Sequence, residues 1–154
     1  MNRRLLAIGV LLGTLLLAGC GVRPSGVITG GPAPATTISG VRLYLISDGQ
    51  PTLVARGLKP LQQPADVVDL LAAGPTEAER AAGFTSEVPA GIAPAKVSFD
   101  GEGTSVGLAA DVDTLSVLAV NQIVCTVQAS VSDGPVSLVS GANRRGPLTC
   151  PTYP

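Results

Sequence analysis

Histidine and tryptophan are absent from this chain, and the 154 residues include only two tyrosines and two phenylalanines. Without histidine a Ser-His-Asp triad is impossible, and transition metals lack the imidazole ligand that they commonly take. We therefore expect no metal site and no cofactor. The few aromatic rings also argue against a carbohydrate-binding site, because sugars usually stack on such rings.

The first twenty residues carry the clearest functional signal. Arg3 and Arg4 precede an apolar run from Leu5 to Ala18, which leads into Gly19-Cys20. The run of about fourteen residues is shorter than the roughly 20 that a transmembrane helix needs, so residues 1–19 are predicted to be a cleaved signal peptide. Leu17-Ala18-Gly19-Cys20 resembles the lipobox of bacterial lipoproteins, and this resemblance implies attachment of diacylglyceryl, with palmitate-type chains, to Cys20.

Acylated Cys20 is expected to hold the protein in the lipid bilayer, on the extracytoplasmic face of the cell membrane. Each buried methylene contributes about 0.8 kcal/mol, so two or three acyl chains anchor a protein stably where one chain binds reversibly. The alternative is an ordinary secreted protein whose signal peptide happens to end near a cysteine.

The remaining 135 residues suit one domain with a single core. Removal of Arg3 and Arg4 leaves eight basic residues against eleven acidic ones, a net charge of −3. No basic patch is interleaved with aromatic residues, so we expect no nucleic-acid partner.

Cys125 and Cys150 remain as a pair once Cys20 is assigned to lipid, and an exported protein meets an oxidising compartment. We predict that they form a disulfide, whose loop of about 25 residues would contribute roughly 3–4 kcal/mol. The alternative is a reactive Cys125 nucleophile, for which the chain offers no histidine base.

Residues 20–40, rich in Pro, Gly, Ser and Thr, are predicted to be the lipidated cysteine and a flexible linker. The alternative is a segment that becomes ordered on binding a partner. Order should begin with a strand over Val41–Ile46, whose apolar residues alternate. Asp48-Gly49 predicts a tight turn into a second strand over Thr52–Leu58.

Two helices are predicted next. The first covers Pro64–Ala73, and Gly74-Pro75 ends it. Thr76 and Glu79 have the spacing of a capping box, which predicts a short helix over Glu77–Ala82.

The second half of the chain predicts further elements of both types. Ala95–Phe99 and Ser105–Leu108 should form a hairpin around a glycine-rich turn. Asp113 is a plausible N-cap for a helix from Thr114 to about Gln128, although a strand over Ile123–Val131 remains open. A last strand is predicted over Pro135–Ser140, followed by a C-terminal tail, residues 142–154, that the disulfide ties down.

This order predicts an α+β fold, a mainly antiparallel sheet with two principal helices on one face. Three segments in the same order resemble the sporulation and spore germination (GerMN) domain over roughly residues 41–141. They are Leu70-Leu71-Ala72-Ala73-Gly74-Pro75-Thr76, Ser86-Glu87-Val88-Pro89-Ala90-Gly91 and Gln122-Ile123-Val124-Cys125-Thr126. The resemblance implies structural roles for the leucines of the helix, for its Gly-Pro-Thr end and for Pro89 and Gly91 as a turn; it implies no catalyst.

The domain is also similar to ring-building motifs that mediate assembly in secreted complexes, and it occurs in actinobacterial lipoproteins. An actinobacterial source would suit the high content of Ala, Gly, Val and Pro. Two features depart from the family pattern. Cysteine stands at position 125 where an aromatic residue is more usual, and the strand after the last helix lacks the usual closing Asp-Gly.

The first functional hypothesis is a non-enzymatic lipoprotein of the cell envelope that binds an envelope protein or itself. Exposed apolar side chains such as Ile46 or Leu53 could be contact points, although such side chains more often belong to the core. The second hypothesis is a module that binds cell-wall glycan or a small molecule.

The third hypothesis is a hydrolase that uses Lys59 or Lys96, or Asp111 with Asp113. No Ser-x-x-Lys motif is present, and lysines and acids at such spacings are usually solvated surface residues. No residue is therefore assigned a catalytic role.

Overall fold

A computed structural model describes residues 40–57 and 61–153. The predictions for the signal peptide, Cys20, linker residues 20–39 and Lys59 lie outside these residues. Within the described part, no helix is long and apolar enough to span a membrane.

The described residues form six strands, three α-helices and two short 3₁₀ turns, at Ala90–Ile92 and Val112–Thr114. In chain order the main elements are β1 (Val41–Ser47), β2 (Gln50–Arg56), α1 (Asp66–Ala72), α2 (Glu77–Ala81), β3 (Lys96–Asp100), β4 (Gly103–Gly107), α3 (Val117–Ser130), β5 (Val136–Ser140) and β6 (Asn143–Leu148). The predicted α+β class is confirmed.

The strands form two sheets rather than the single sheet that was predicted. β1 and β2 make an antiparallel pair, and the second sheet has the order β3-β4-β5-β6. Its strands are antiparallel except for β4 and β5, which are parallel because α3 forms the crossover between them. Side chains of α3 lie along the outer edge of β1.

The first hairpin follows the predicted turn. Asp48 and Gly49 have φ angles of 51° and 76°, in the left-handed region that a two-residue hairpin turn requires. Pairing therefore starts at once, with Ser47 opposite Gln50, and β2 begins two residues earlier than expected.

Local signals also place α1 and α2. α1 begins at Asp66, two residues after Pro64, and Gly74 follows it with a φ of 76°. The predicted capping box is confirmed: the Thr76 side chain accepts a hydrogen bond from the Glu79 amide, and the Glu79 carboxylate accepts one from the Thr76 amide.

The predicted start of the long helix is wrong. Asp111 caps the 3₁₀ turn at Val112–Thr114, and the chain is extended again before Ser116 caps α3 by accepting from the Ala119 amide. Asp113 lies inside that turn, and its amide donates to Asp111 Oδ1 at 3.0 Å. The strand alternative for residues 123–131 is also wrong, since α3 continues to Ser130.

The C-terminal segment is more than a tail. Residues Asn143–Leu148 form β6, which pairs with β5 after a tight turn at Gly141, where φ is 56°. Arg144, Arg145 and Gly146-Pro147 concealed this edge strand, because charge, Gly and Pro all argue against strand structure in a sequence.

One hydrophobic core joins the layers. β1, α1 and α3 all contribute side chains with no exposed surface, among them Leu43 and Leu45, Val67 and Leu71, and Ile123 and Val127. The four-stranded sheet adds Val106 and Leu138, which are equally buried.

Candidate functional site

The motif residues at the end of α1 act as helix boundaries. Leu71 is fully buried and Leu70 is partly buried against the core. Gly74 reverses the chain, and its carbonyl accepts a hydrogen bond of 2.8 Å from Arg56 Nη2. Pro75 and Thr76 then lead into α2, whose capping box Thr76 opens.

Arg56 joins the end of β2 to α2. Its Nε and Nη2 lie 2.9 and 2.7 Å from the two carboxylate oxygens of Glu79, and both side chains are largely buried. The Arg56 guanidinium, helped by hydrogen bonds from Thr76 and opposed by desolvation, lowers the pKa of Glu79 from 4.5 to about 2.

Pro89 and Gly91 belong to the turn that precedes the second sheet. Pro89 is the residue before the 3₁₀ turn Ala90–Ile92, and Ile92 is fully buried. The Ile92 carbonyl accepts from the Ala109 amide, which ties the turn to the end of β4.

The outer edge of β1 is satisfied by polar side chains of α3 instead of by a third strand. Ser130 Oγ accepts from the Arg42 amide at 3.2 Å and donates to the Arg42 carbonyl at 2.7 Å. Thr126 Oγ1 accepts from the Tyr44 amide, and Gln122 Nε2 donates to the Tyr44 carbonyl, both at 2.9 Å. We call this edge, with its α3 partners, the sealed edge.

Two further contacts complete the sealed edge. The amide and the carbonyl of Ile46 both pair with Thr85. Gln122 is fully buried, and its Oε1 also accepts from the Glu87 amide at 2.9 Å. Gln122 and Thr126 appeared in the sequence only as parts of the family resemblance; polar residues repeated four apart in an apolar helix are the signal that predicts this role.

The disulfide fastens the C-terminal segment to the same helix. Cys125 and Cys150 form the predicted bond, with their Cα atoms 4.6 Å apart. The Cys150 amide also donates to Gln128 Oε1 at 2.6 Å. Further along, burial raises the pKa of the Tyr153 phenol.

The outer edge of β2 differs from that of β1. In two antiparallel strands, the backbone groups of opposite residues either hydrogen-bond to each other or point away from the partner strand. Leu53 and Ala55 lie opposite Tyr44 and Arg42, so their backbone groups point away from β1, and in the described residues these groups have no backbone partner. We call this edge, which runs through Pro51, Leu53 and Ala55, the open edge; Leu53 and Ala55 are exposed, whereas Pro51 is buried.

A family model described as sporulation and spore germination (Germane) matches residues 42–141. The chain belongs to this family. Searches of curated proteins and of solved structures gave no match. The Germane domain, residues 42–141, runs from β1 to the turn after β5. β6 and Cys150 therefore lie beyond the match.

Of the apolar contact points expected from the sequence, the Germane domain exposes one. Ile46 is only 6% exposed and belongs to the core, whereas Leu53 is 46% exposed beside the open edge. Phe99 and Val117 are further exposed apolar side chains.

Two surface cavities lie among the described residues. A groove of about 490 Å³ has a mainly apolar lining that includes Val41, Leu61, Pro64, Phe99 and Val131. A second cavity of about 450 Å³ is lined by residues that include Asp100, Glu102 and Ser137, and the Ser137 hydroxyl accepts a hydrogen bond from Arg144.

The acidic residues of the hydrolase alternative have structural contacts. Asp111 accepts hydrogen bonds from the Asn143 side chain and the Asp113 amide, and these bonds lower its pKa. Asp113 and Lys96 are exposed. Among the described residues, no group of three or more His, Cys, Asp or Glu side chains could hold a metal ion.

Proposed function

We propose that this protein is a membrane-anchored lipoprotein of the cell envelope whose Germane domain is a non-catalytic module for protein interaction and assembly. The open edge of β2 is the observation that carries the interaction role. Leu17-Ala18-Gly19-Cys20 supports the anchor, which would hold the domain on the extracytoplasmic face of the membrane.

The open edge suits a protein partner because unpaired backbone groups of an edge strand bind another extended chain directly. Leu53 adds exposed apolar surface beside those groups. An added strand could come from another envelope protein or from a second copy of this chain.

The polar side chains at the centre of the fold have structural roles. Gln122, Thr126 and Ser130 are engaged with the backbone of β1, and Asp111 caps a turn. Glu79 is held by Arg56 and by its capping box. These groups are committed to holding elements together, which favours a binding module over a hydrolase.

Metabolic labelling tests the anchor. In cells grown with alkyne-labelled palmitate, the wild-type protein should carry the label and Cys20→Ala should not. The matched control is the double variant Cys125→Ala, Cys150→Ala, which should keep the label because it retains Cys20. Labelled Cys20→Ala would contradict the proposed anchor.

Crosslinking in cells tests the interaction role. After membrane solubilisation, affinity purification and mass spectrometry, we expect a stoichiometric protein partner that is lost with Cys20→Ala. A crosslinked second copy of this chain would count as such a partner. Recovery of uncrosslinked monomer alone, or of glycan fragments, would contradict an assembly role.

A second candidate function is binding of a small molecule or a cell-wall glycan fragment, and the groove beside Phe99 favours it. Its volume of about 490 Å³ lies in the range of small-ligand sites. Titration with muropeptides, followed by NMR shifts of Leu61, Phe99 and Val131 amides, would identify such binding; an unperturbed spectrum would exclude it for these ligands.

A further inference from the structure

We propose that the open edge of β2 pairs with the open edge of a second copy, antiparallel and about a two-fold axis at Val54. The two hairpins then form one four-stranded sheet across the interface. This inference rests on the proposed function in one respect, because the lipid anchor is what concentrates the copies on one membrane face.

The donors and acceptors of the edge are complementary to themselves. Leu53 and Ala55 each present an outward amide and an outward carbonyl. With the axis at Val54, Leu53 of one copy lies opposite Ala55 of the other, and the same pair recurs by symmetry. Each pair exchanges two backbone hydrogen bonds, so four bonds form between the copies.

Pro51 lies where it does not interrupt this ladder. Proline has no amide hydrogen, and an amide at position 51 would point outward. Pro51 lies opposite Ile46, whose backbone groups point to Thr85 and thus away from β2. In the proposed register Pro51 falls beyond the four bonds, at the end of the paired segment. Proline therefore limits the length of the pairing and selects Leu53 to Ala55 as its centre.

The side chains fit contact between two identical copies. β2 has no charged residue from Gln50 to Ala55, and Arg56 is already paired with Glu79, so like charges do not meet at the axis. Leu53 and Tyr44 share one face of the hairpin, and the small side chain of Ala55 of the second copy leaves room for Leu53.

The interface would be small, since it consists of four backbone hydrogen bonds and the contacts of Leu53 with Ala55 of the other copy. Interfaces that bury less than about 1,200 Å² are typically weak. Anchoring both copies to one membrane raises their effective concentration and turns weak pairing into stable association. We therefore expect self-pairing at the membrane and little dimer in dilute solution.

Site-specific photocrosslinking of the full-length protein in cells tests the pairing. p-Benzoylphenylalanine replaces Leu53 in one form and Val117, another exposed apolar residue, in a control form. Each form is co-expressed in two versions with different epitope tags. We expect a product of twice the monomer mass that carries both tags from position 53, and none from position 117.

Variants of Ala55 test the hydrogen-bond ladder. Ala55→Lys places charge opposite the apolar row, and Ala55→Pro removes an amide that β1 does not use. Both should abolish the dimer product at position 53, whereas Val117→Lys should keep it. Correct formation of the Cys125–Cys150 bond, seen by mass spectrometry without reductant, reports that each variant is folded.

The outcomes separate this inference from the proposed function. A product at position 53 that joins this chain to a different protein overturns self-pairing and leaves an assembly role in place. No product at position 53 also overturns self-pairing, while palmitate labelling and affinity purification still decide the proposed function. A dimer product that persists in both Ala55 variants overturns the pairing through the open edge.

Discussion

The two strands of the first hairpin have outer edges of opposite character. On β1, the outward backbone groups of Arg42, Tyr44 and Ile46 all bond to α3 or to Thr85. On β2, those of Leu53 and Ala55 have no backbone partner in the described part of the chain. The comparison shows that a helix can complete a sheet edge on one side of a hairpin while the other side stays available for a new strand.

Burial explains the difference. At Tyr44 the edge of β1 faces α3 in a partly buried position, where an unsatisfied backbone group costs about 1–3 kcal/mol. The edge of β2 faces solvent, and water can satisfy its amides and carbonyls until another strand replaces it. A side-chain seal is therefore required at β1 and is unnecessary at β2.

The largest expected effect on stability comes from removing the disulfide that ties the C-terminal segment to α3. Cys125→Ala with Cys150→Ala should lower the free energy of unfolding by about 3.5 kcal/mol, because the bond closes a loop of 25 residues. Urea denaturation measures the loss. Wild-type protein under reductant should match the double variant; an unchanged midpoint in either sample would contradict the prediction.

A direct break in the sealed edge should have the next largest effect. Gln122→Leu leaves the Tyr44 carbonyl and the Glu87 amide without partners, so we expect a loss of about 2–3 kcal/mol in urea denaturation. The matched control is Gln62→Leu, at an exposed position, which should change stability by less than about 0.5 kcal/mol. Equal effects of the two changes would show that the seal does not stabilise the fold.

The Arg56–Glu79 pair, which joins β2 to α2, should make stability depend on pH. The pKa of Glu79 is lowered from 4.5 to about 2, so its contribution is complete above pH 4.5 and is lost as pH falls towards 2. Glu79→Gln should reduce stability by about 1 kcal/mol at pH 7 and flatten the profile in this window. Glu77→Gln, in the same helix but exposed, is the control and should keep the wild-type profile.

The smallest effect on stability is expected at the open edge. Leu53→Lys should change the free energy of unfolding by less than about 0.5 kcal/mol, because the side chain is already 46% exposed. The same change should abolish any association through β2. A large loss of stability, with Val117→Lys unaffected, would mean that Leu53 belongs to the core and that the edge is not open.

Local sequence signals predicted much of the fold. The Asp48-Gly49 turn, the Gly74 helix end and the capping box of Thr76 and Glu79 each depend on residues within one turn of each other. β6 was missed because Arg144, Arg145 and Pro147 carry no strand signal; β5 supplies the pairing that makes them a strand. The predicted cap at Asp113 is wrong because a sequence does not show which of Asp111, Asp113 and Ser116 starts the helix.

The candidate site depended on contacts between distant parts of the chain. Gln122 and Tyr44 are 78 residues apart, so their hydrogen bond has no local signature. The openness of β2 could not be predicted either, since it depends on where α3 lies. Leu53 was named among the exposed apolar residues, but its alternation with Pro51 and Ala55 along a free edge required the register of the hairpin.

Amide hydrogen exchange, resolved by NMR for single residues at low protein concentration, tests the contrast between the two edges most directly. We expect slow exchange at Arg42, Tyr44 and Ile46, whose amides are bonded to Ser130, Thr126 and Thr85. The amides of Leu53 and Ala55 should exchange rapidly. Comparable protection on both edges, or rapid exchange on both, would contradict a hairpin that is sealed on one side and open on the other.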